Sequence, residues 1–198
     1  MKREKRKAIW IGYVGRIAAE KGIEYLVQSI KRLNFLPKIK LVFAGPNPEK
    51  VVGEKKYWNK IKKQLEDLKI KYLFFRDLSD KKLGAFYDAV DVLVLPSTNR
   101  TEAFGMVQVE AMLWGTPVVA TNLPGVRVPI KLTKMGLLVE PKNSKQLSEA
   151  ILTIIKNRKK YSNEKLIKNA KKIFNPRKTY QFYDDLVNHI QPKYTAAV

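Results

Sequence analysis

Ser97-Thr98-Asn99-Arg100-Thr101-Glu102-Ala103-Phe104-Gly105-Met106-Val107-Gln108-Val109-Glu110-Ala111-Met112, followed after Leu113 by Trp114-Gly115-Thr116-Pro117-Val118-Val119, takes the chain from a polar loop into an almost wholly apolar helix. The apolar run at residues 91–95 before it reads as a buried strand, residues 97–102 as a loop and residues 105–114 as a helix. In that helix only Gln108 and Glu110 carry polar side chains, so it is expected in the interior, where a carboxylate needs a donor. The two glutamates, Glu102 and Glu110, bracket seven residues.

Working outward, the same alternation recurs. Residues 8–14 form a continuous apolar run that ends at Gly15, the pattern of a strand covered on both faces. Ile23, Leu26, Val27, Ile30 and Leu33 follow at helical spacing, and Pro37 closes the segment. A strand at 39–44 stopped by Gly45-Pro46, a helix carrying Trp58, Ile61, Leu65 and Leu68, and a strand at 72–75 repeat the unit. Ser79 or Asp80 is placed to cap a short helix presenting Leu83, Phe86 and Tyr87, and residues 117–121 and 136–139 give two more strands. Ser144 is placed to cap a helix with Leu147, Ala150, Ile151, Ile154 and Ile155 inward. Such alternation with short connections specifies an α/β, Rossmann-like, doubly wound parallel sheet of about six strands with helices on both faces. Ligands then bind where strands end, which directs attention to residues 15–22, 45–53, 76–79, 96–104 and 121–130.

Beyond residue 157 a basic helix is expected over residues 161–174, and Pro176 opens a last helix through His189 with Tyr180, Tyr183, Leu186, Val187 and Ile190 on one stripe. The reading divides the chain into a basic extension (1–7), a ligand-binding Rossmann-like domain (8–175), a C-terminal helix (176–190) and a tail (191–198). Met1 to Lys7 lacks the long apolar segment of a secretory signal, and no run approaches the ~18 apolar residues that span a bilayer. With no cysteine and one histidine, thiolate and histidine-rich metal sites are excluded. The net charge of +21 is uneven: Lys156 to Lys178 holds ten basic residues and one acid, Glu164. That block is either a solvated helical face or an attractor of phosphate-bearing partners or an anionic membrane.

Gly15-Arg16 at the end of the first strand, with Lys21-Gly22 entering a helix, sets two cations where strand ends and a helix N-terminus converge on an anion; the alternative is two solvated charges. Two such cations would neutralise a diphosphate, and the first-turn amides of Gly105, Met106 and Val107 would hold it from the other side. Glu110, about 7 Å along that helix, can accept hydrogen bonds from a ribose diol or pair with a core tyrosine or an arginine. Glu102 can bind sugar hydroxyls or act as an N-cap-like acceptor. A nicotinamide site is disfavoured, because Gly12-x-x-Gly15 lacks the third glycine and the second strand ends in Ala44-Gly45 rather than an acid. Asp184-Asp185 reads as a solvated pair, and His189 as structural.

Glu102 and Glu110 at this spacing, Phe104-Gly105 between them, Glu110-Ala111-Met112 and Gly115-Thr116-Pro117-Val118-Val119 behind, and Gly15-Arg16 with Lys21-Gly22 upstream together resemble the donor site of group 1 (family 4) retaining glycosyltransferases. The resemblance runs from about residue 8 to residue 190 and covers only the second half of such a two-domain (GT-B) enzyme. It implies hexosyl transfer from a nucleotide-diphosphate sugar with retention, Arg16 and Lys21 stabilising the leaving diphosphate, Glu102 facing the transferred sugar and Glu110 the ribose. It further implies donor contacts from Gly15, Phe104, Gly105, Met106 and Val107, no metal and no cofactor beyond the donor. The family commonly has paired glycines where this chain has Pro124-Gly125-Val126, and a glutamate where Val128-Pro129 stands. In the family the C-terminal helix crosses back to the first domain.

The expected partners are a nucleotide sugar and an N-terminal acceptor domain lying outside this chain, with an anionic membrane surface for the 156–178 block and no nucleic acid. The expected location is the cytoplasm, at the inner membrane face if that block engages lipid. Without its acceptor domain the chain is expected to bind donor and not to turn over. Rival readings are another GT-B enzyme, such as a sugar-nucleotide epimerase or phosphorylase, and a non-enzymatic basic module for anionic polymer or membrane.

Overall fold

The computed structural model describes residues 8–36 and 38–188, so Pro37, His189, Ile190, the basic extension and the tail lie outside it. Strands β1 (Ile9–Val14), β2 (Ile39–Gly45), β3 (Tyr72–Arg76), β4 (Val92–Leu95), β5 (Val118–Thr121) and β6 (Gly136–Val139) form one sheet in the order β3-β2-β1-β4-β5-β6, every neighbouring pair parallel. The chain winds outward from β1 to β3, then returns to lay β4 on the other side of β1. Loops leaving β1 and β4 therefore diverge over a crevice at the carboxyl end of the sheet.

Alternation along the strands splits the core into two layers. Ile11, Tyr13, Leu41, Phe43, Val92, Val94 and Val119 face one side and pack with α1 (Ile23–Lys31), α2 (Glu54–Asp67) and α6 (Ser144–Lys156). Val42, Ala44, Leu93, Leu95, Val118 and Ala120 face the other, covered by α3 (Asp80–Ala89), α4 (Met106–Leu113), α5 (Arg127–Thr133) and α8 (Glu164–Ile173). Phe43, Trp58, Tyr72 and Phe74 meet edge to face at 5.2–6.3 Å between centroids, which fixes α2 on β2 and β3.

The structure revises several local expectations. Asn143, not Ser144, caps α6 by accepting the Gln146 amide, and Ser79 stands at the N-cap of α3 without a capping bond from its side chain. Residues 121–130 are not wholly loop, since α5 begins at Arg127; Pro129 is tolerated there because a first-turn residue needs no helical amide donor. The basic segment divides into α7 (Arg158–Tyr161) and α8, separated at Ser162, with Asn163 capping the second. Helix α4 is apolar but not buried all round, as Met106 at its start and Trp114 at its C-cap are 58% and 53% exposed. Helix α9 (Pro176–Val187) forms as its pattern requires, yet Tyr180, Tyr183, Leu186 and Val187 remain exposed.

Candidate functional site

The loop after β1 is shaped from beneath. Gly15 sits at φ +144°, and the Tyr13 hydroxyl donates to the Arg16 carbonyl at 2.6 Å. Burial, with the nearby Glu102 carboxylate as a lesser cause, pushes the Tyr13 pKa well above the ordinary tyrosine value, so the phenol stays a donor. Glu54, 3% exposed at the start of α2, accepts the Ile17 amide on Oε2 and the Arg16 Nη1 on Oε1, both at 3.1 Å. Arg16 Nη2 donates to Glu20 at 3.0 Å, leaving a guanidinium that is half exposed at the crevice and anchored on one side. A 3-10 turn, Ala19–Lys21, not anticipated from the sequence, then ends at Gly22 with φ +66°.

Gly22 is where the two loops touch. A Cβ there would lie 2.1 Å from the Pro96 carbonyl oxygen, so only glycine permits the approach. Thr98 donates from its amide and its hydroxyl to the Glu20 carbonyl, at 2.8 and 3.1 Å. The result is that Lys21 Nζ reaches Glu102 Oε2 at 2.7 Å, and Ser97 Oγ donates to the same oxygen at 3.1 Å. Residues 81 apart in the chain thus form one ion pair, with both side chains largely buried.

Gly105 holds the N-cap of α4 at φ +75°, and a Cβ there would lie 2.4 Å from Leu95 Cδ2 and 3.0 Å from Gln108 Nε2, so conformation and packing both require glycine. The Gln108 amide is satisfied by the Gly105 carbonyl, while the amides of Gly105, Met106 and Val107 stand at the helix start, where no helical acceptor is available. Gln108 Nε2 donates to the carbonyls of Phe104 and Val126, tying the loop to the segment after β5. Gly125, retained where the family commonly has two glycines, is required by contact: a Cβ would fall 1.6 Å from the Ala103 carbonyl oxygen. Phe104 places its ring edge-on to Phe174 at 6.4 Å, so that residue is engaged with the end of α8.

Glu110 is half-buried, not interior, and Oε2 accepts the Tyr87 hydroxyl at 2.6 Å. Of the two side-chain partners the sequence left open, a core tyrosine or an arginine, the tyrosine makes this contact. Burial first, and then the bond to Glu110, hold the Tyr87 phenol far above its ordinary pKa.

Arg16, Lys21, Glu102 and the start of α4 are thus gathered at the β1/β4 switch point, with Glu110 along the same helix. Glu20, Glu54, Thr98 and Phe174 join them without having been singled out as site residues from the sequence, and Tyr87, read there only as an inward residue of its helix, proves to be the tyrosine on Glu110. Glu54 had a local signal, an acid in a helix first turn, but that position is favourable for any acid beside the helix dipole and names no partner. Among the described residues no group of three or more potential metal ligands occurs, and no helix is long and apolar enough to cross a membrane. Two surface hollows, one at Ile155 to Lys160 and one lined by Gln28, Lys31, Arg32 and Ser144, lie apart from these residues.

Residues 2–173 match the family model described as glycosyl transferases group 1. An uncharacterized glycosyltransferase of Methanocaldococcus jannaschii is 32% identical over 166 residues, covering 81% of this chain and 38% of the relative. Among solved structures, Anabaena HepE in complex with UDP and glucose superposes with a TM-score of 0.79 at 25% identity, over 92% of this chain and 49% of that one. The C-terminal domain of a glycosyl transferase group 1 family protein (LpcC) from Francisella tularensis superposes with a TM-score of 0.65 at 25% identity, over 88% of this chain and 90% of that domain. The chain spans less than half the length of the curated relatives it matches.

Proposed function

Because the chain belongs to the group 1 glycosyl transferases, we propose that it is the donor-binding half of a retaining, two-domain hexosyltransferase and that its crevice takes a nucleoside-diphosphate sugar. The observation that carries this reading is the Lys21–Glu102 contact at 2.7 Å, which joins the two loops of the motif at the sheet's switch point. A diphosphate seated there meets Arg16 and Lys21 on one side and the amides of Gly105, Met106 and Val107 on the other. As the bond from the anomeric carbon to the diphosphate breaks, negative charge gathers on the leaving oxygens; Arg16 and the helix amides stabilise it as fixed donors, and Lys21 turns to it from Glu102. Glu102, held by Lys21 and Ser97, presents its carboxylate toward the hexose hydroxyls. Glu110 serves the ribose, and the donor needs no metal or further cofactor in this scheme.

A uridine diphosphate sugar is the first donor to test, since HepE was solved with UDP and glucose. The acceptor domain belongs to the remainder of a longer enzyme, in keeping with the chain's share of its relatives' length. UDP at 100 times its dissociation constant should add about 2.7 kcal/mol of stability, and hence raise the melting temperature by roughly 5–11 °C for a chain of this size. No shift at millimolar UDP, GDP or ADP would refute donor binding. In a labelled-donor assay the chain alone should stay far below the usual enzyme range, because half the water-excluding cleft lies outside it; turnover near ~1 per second would refute the half-enzyme reading.

The exposed Lys159, Lys160, Lys165, Lys168, Lys171 and Lys172 of α7 and α8 favour a second contact, with an anionic membrane. Sedimentation with phosphatidylglycerol vesicles, and none with phosphatidylcholine vesicles, is the expected result.

A further inference from the structure

Among the described residues no cation forms an ion pair with Glu110, and the group that meets it comes from a helix outside the motif. Helix α3 is fixed on α4 and the turn that follows it by three separate contacts. Gly84 lets the Trp114 ring lie so close that a Cβ would stand 2.5 Å from Cζ2, and Thr116 Oγ1 donates to the Tyr87 carbonyl at 2.6 Å in a buried site. The third is the Tyr87 hydroxyl on Glu110 Oε2, also at 2.6 Å. Tyr87 is 1% exposed, whereas Glu110 is only half-buried. One carboxylate oxygen therefore points into the fold with a fixed donor, and the group as a whole still reaches the surface.

A carboxylate on a free χ3 torsion presents either oxygen over a broad range. A short bond to a rigid, buried phenol removes that freedom and directs the second oxygen outward, where a diol can donate to it. Resting on the donor-site reading above, we propose that Tyr87 is a positioning residue that orients Glu110 to recognise the ribose hydroxyls of the donor nucleotide. Thr116 serves the same end by holding the Tyr87 backbone, which gives the Gly115-Thr116-Pro117 turn a part in the ribose site. The two alternatives for Glu110, ribose ligand and core-tyrosine partner, then describe the two oxygens of one group.

The test is calorimetric titration of the chain with inorganic diphosphate, UDP, 2′-deoxy-UDP and 3′-deoxy-UDP, in wild type, Tyr87→Phe, Glu110→Gln and the double variant. Wild type should bind UDP more tightly than at least one deoxy form. Tyr87→Phe, which keeps the buried ring, should weaken UDP about fivefold, narrow the UDP-to-deoxy preference and leave inorganic diphosphate within twofold, all below its melting temperature. In the Glu110→Gln background the same substitution should change UDP affinity less than twofold, since there is no carboxylate left to orient. Equal losses in both backgrounds, or a Tyr87→Phe variant that keeps the full deoxy discrimination, would overturn the role of Tyr87 while Glu110→Gln still reports on the ribose. Failure of wild type to bind UDP and inorganic diphosphate alike would instead overturn the donor-site reading itself.

Discussion

Arg16 and Lys21 come from one loop and carry the same charge, yet the fold restrains them differently. Arg16 leans on Glu54, an acid buried to 3% exposure whose other oxygen takes the Ile17 amide, so its anchor is part of the core. Lys21 is tied to Glu102, which lies in the facing loop and is itself a predicted substrate ligand. One cation is fixed by the scaffold, and the other by a group that the substrate will also address. Arginine suits the first setting, because its planar fork spans Glu54 and Glu20 and leaves further donors toward the crevice. Lysine suits the second, where a compact charge can shift from carboxylate to phosphate.

Three substitutions probe that contrast. Lys21→Ala should have the largest effect on ligand, at least tenfold weaker binding of UDP and inorganic diphosphate, since a charge-assisted bond contributes roughly 1.5–3 kcal/mol; calorimetry reads it, and affinity equal to wild type would remove Lys21 from the site. Glu54→Ala should act mainly on the fold. It strands the buried Ile17 amide at about 1–3 kcal/mol, lowering the melting temperature by roughly 2–12 °C at this chain length. Diphosphate binding should fall less than in Lys21→Ala, because Glu20 still holds Arg16. An unchanged melting temperature would show that Glu54 is no scaffold anchor. Glu102→Gln should have the smallest effect, with the opposite sign: releasing Lys21 from its carboxylate partner should tighten inorganic diphosphate. If it weakens diphosphate instead, Glu102 holds Lys21 in place and does not compete for it.

The sequence alone determined a good deal. Apolar runs ending at Gly15, Gly45 and Pro96, each followed by helical spacing, fixed the doubly wound sheet, because strand and helix periodicity are local properties. The spacing of Glu102 and Glu110, with Gly105 between, likewise carried the family and the position of α4. Its limits were local as well: α5 was hidden by Pro129, and the caps at Asn143 and Ser79 turn on single rotamers. Helices α8 and α9 show the same boundary, for both have an apolar stripe, but α8 buries Ala170 and packs Leu166 and Ile167 against the core while α9 leaves Tyr180, Tyr183, Leu186 and Val187 exposed. A stripe specifies a face without naming what covers it. Only the tertiary structure decided that Lys21 meets Glu102, that Glu54 holds Arg16 and that Tyr87 meets Glu110, contacts spanning 81, 38 and 23 residues. Each rests on how one helix or loop seats on another within a few tenths of an ångström, and that is set by side-chain packing across the sheet, which periodicity does not encode.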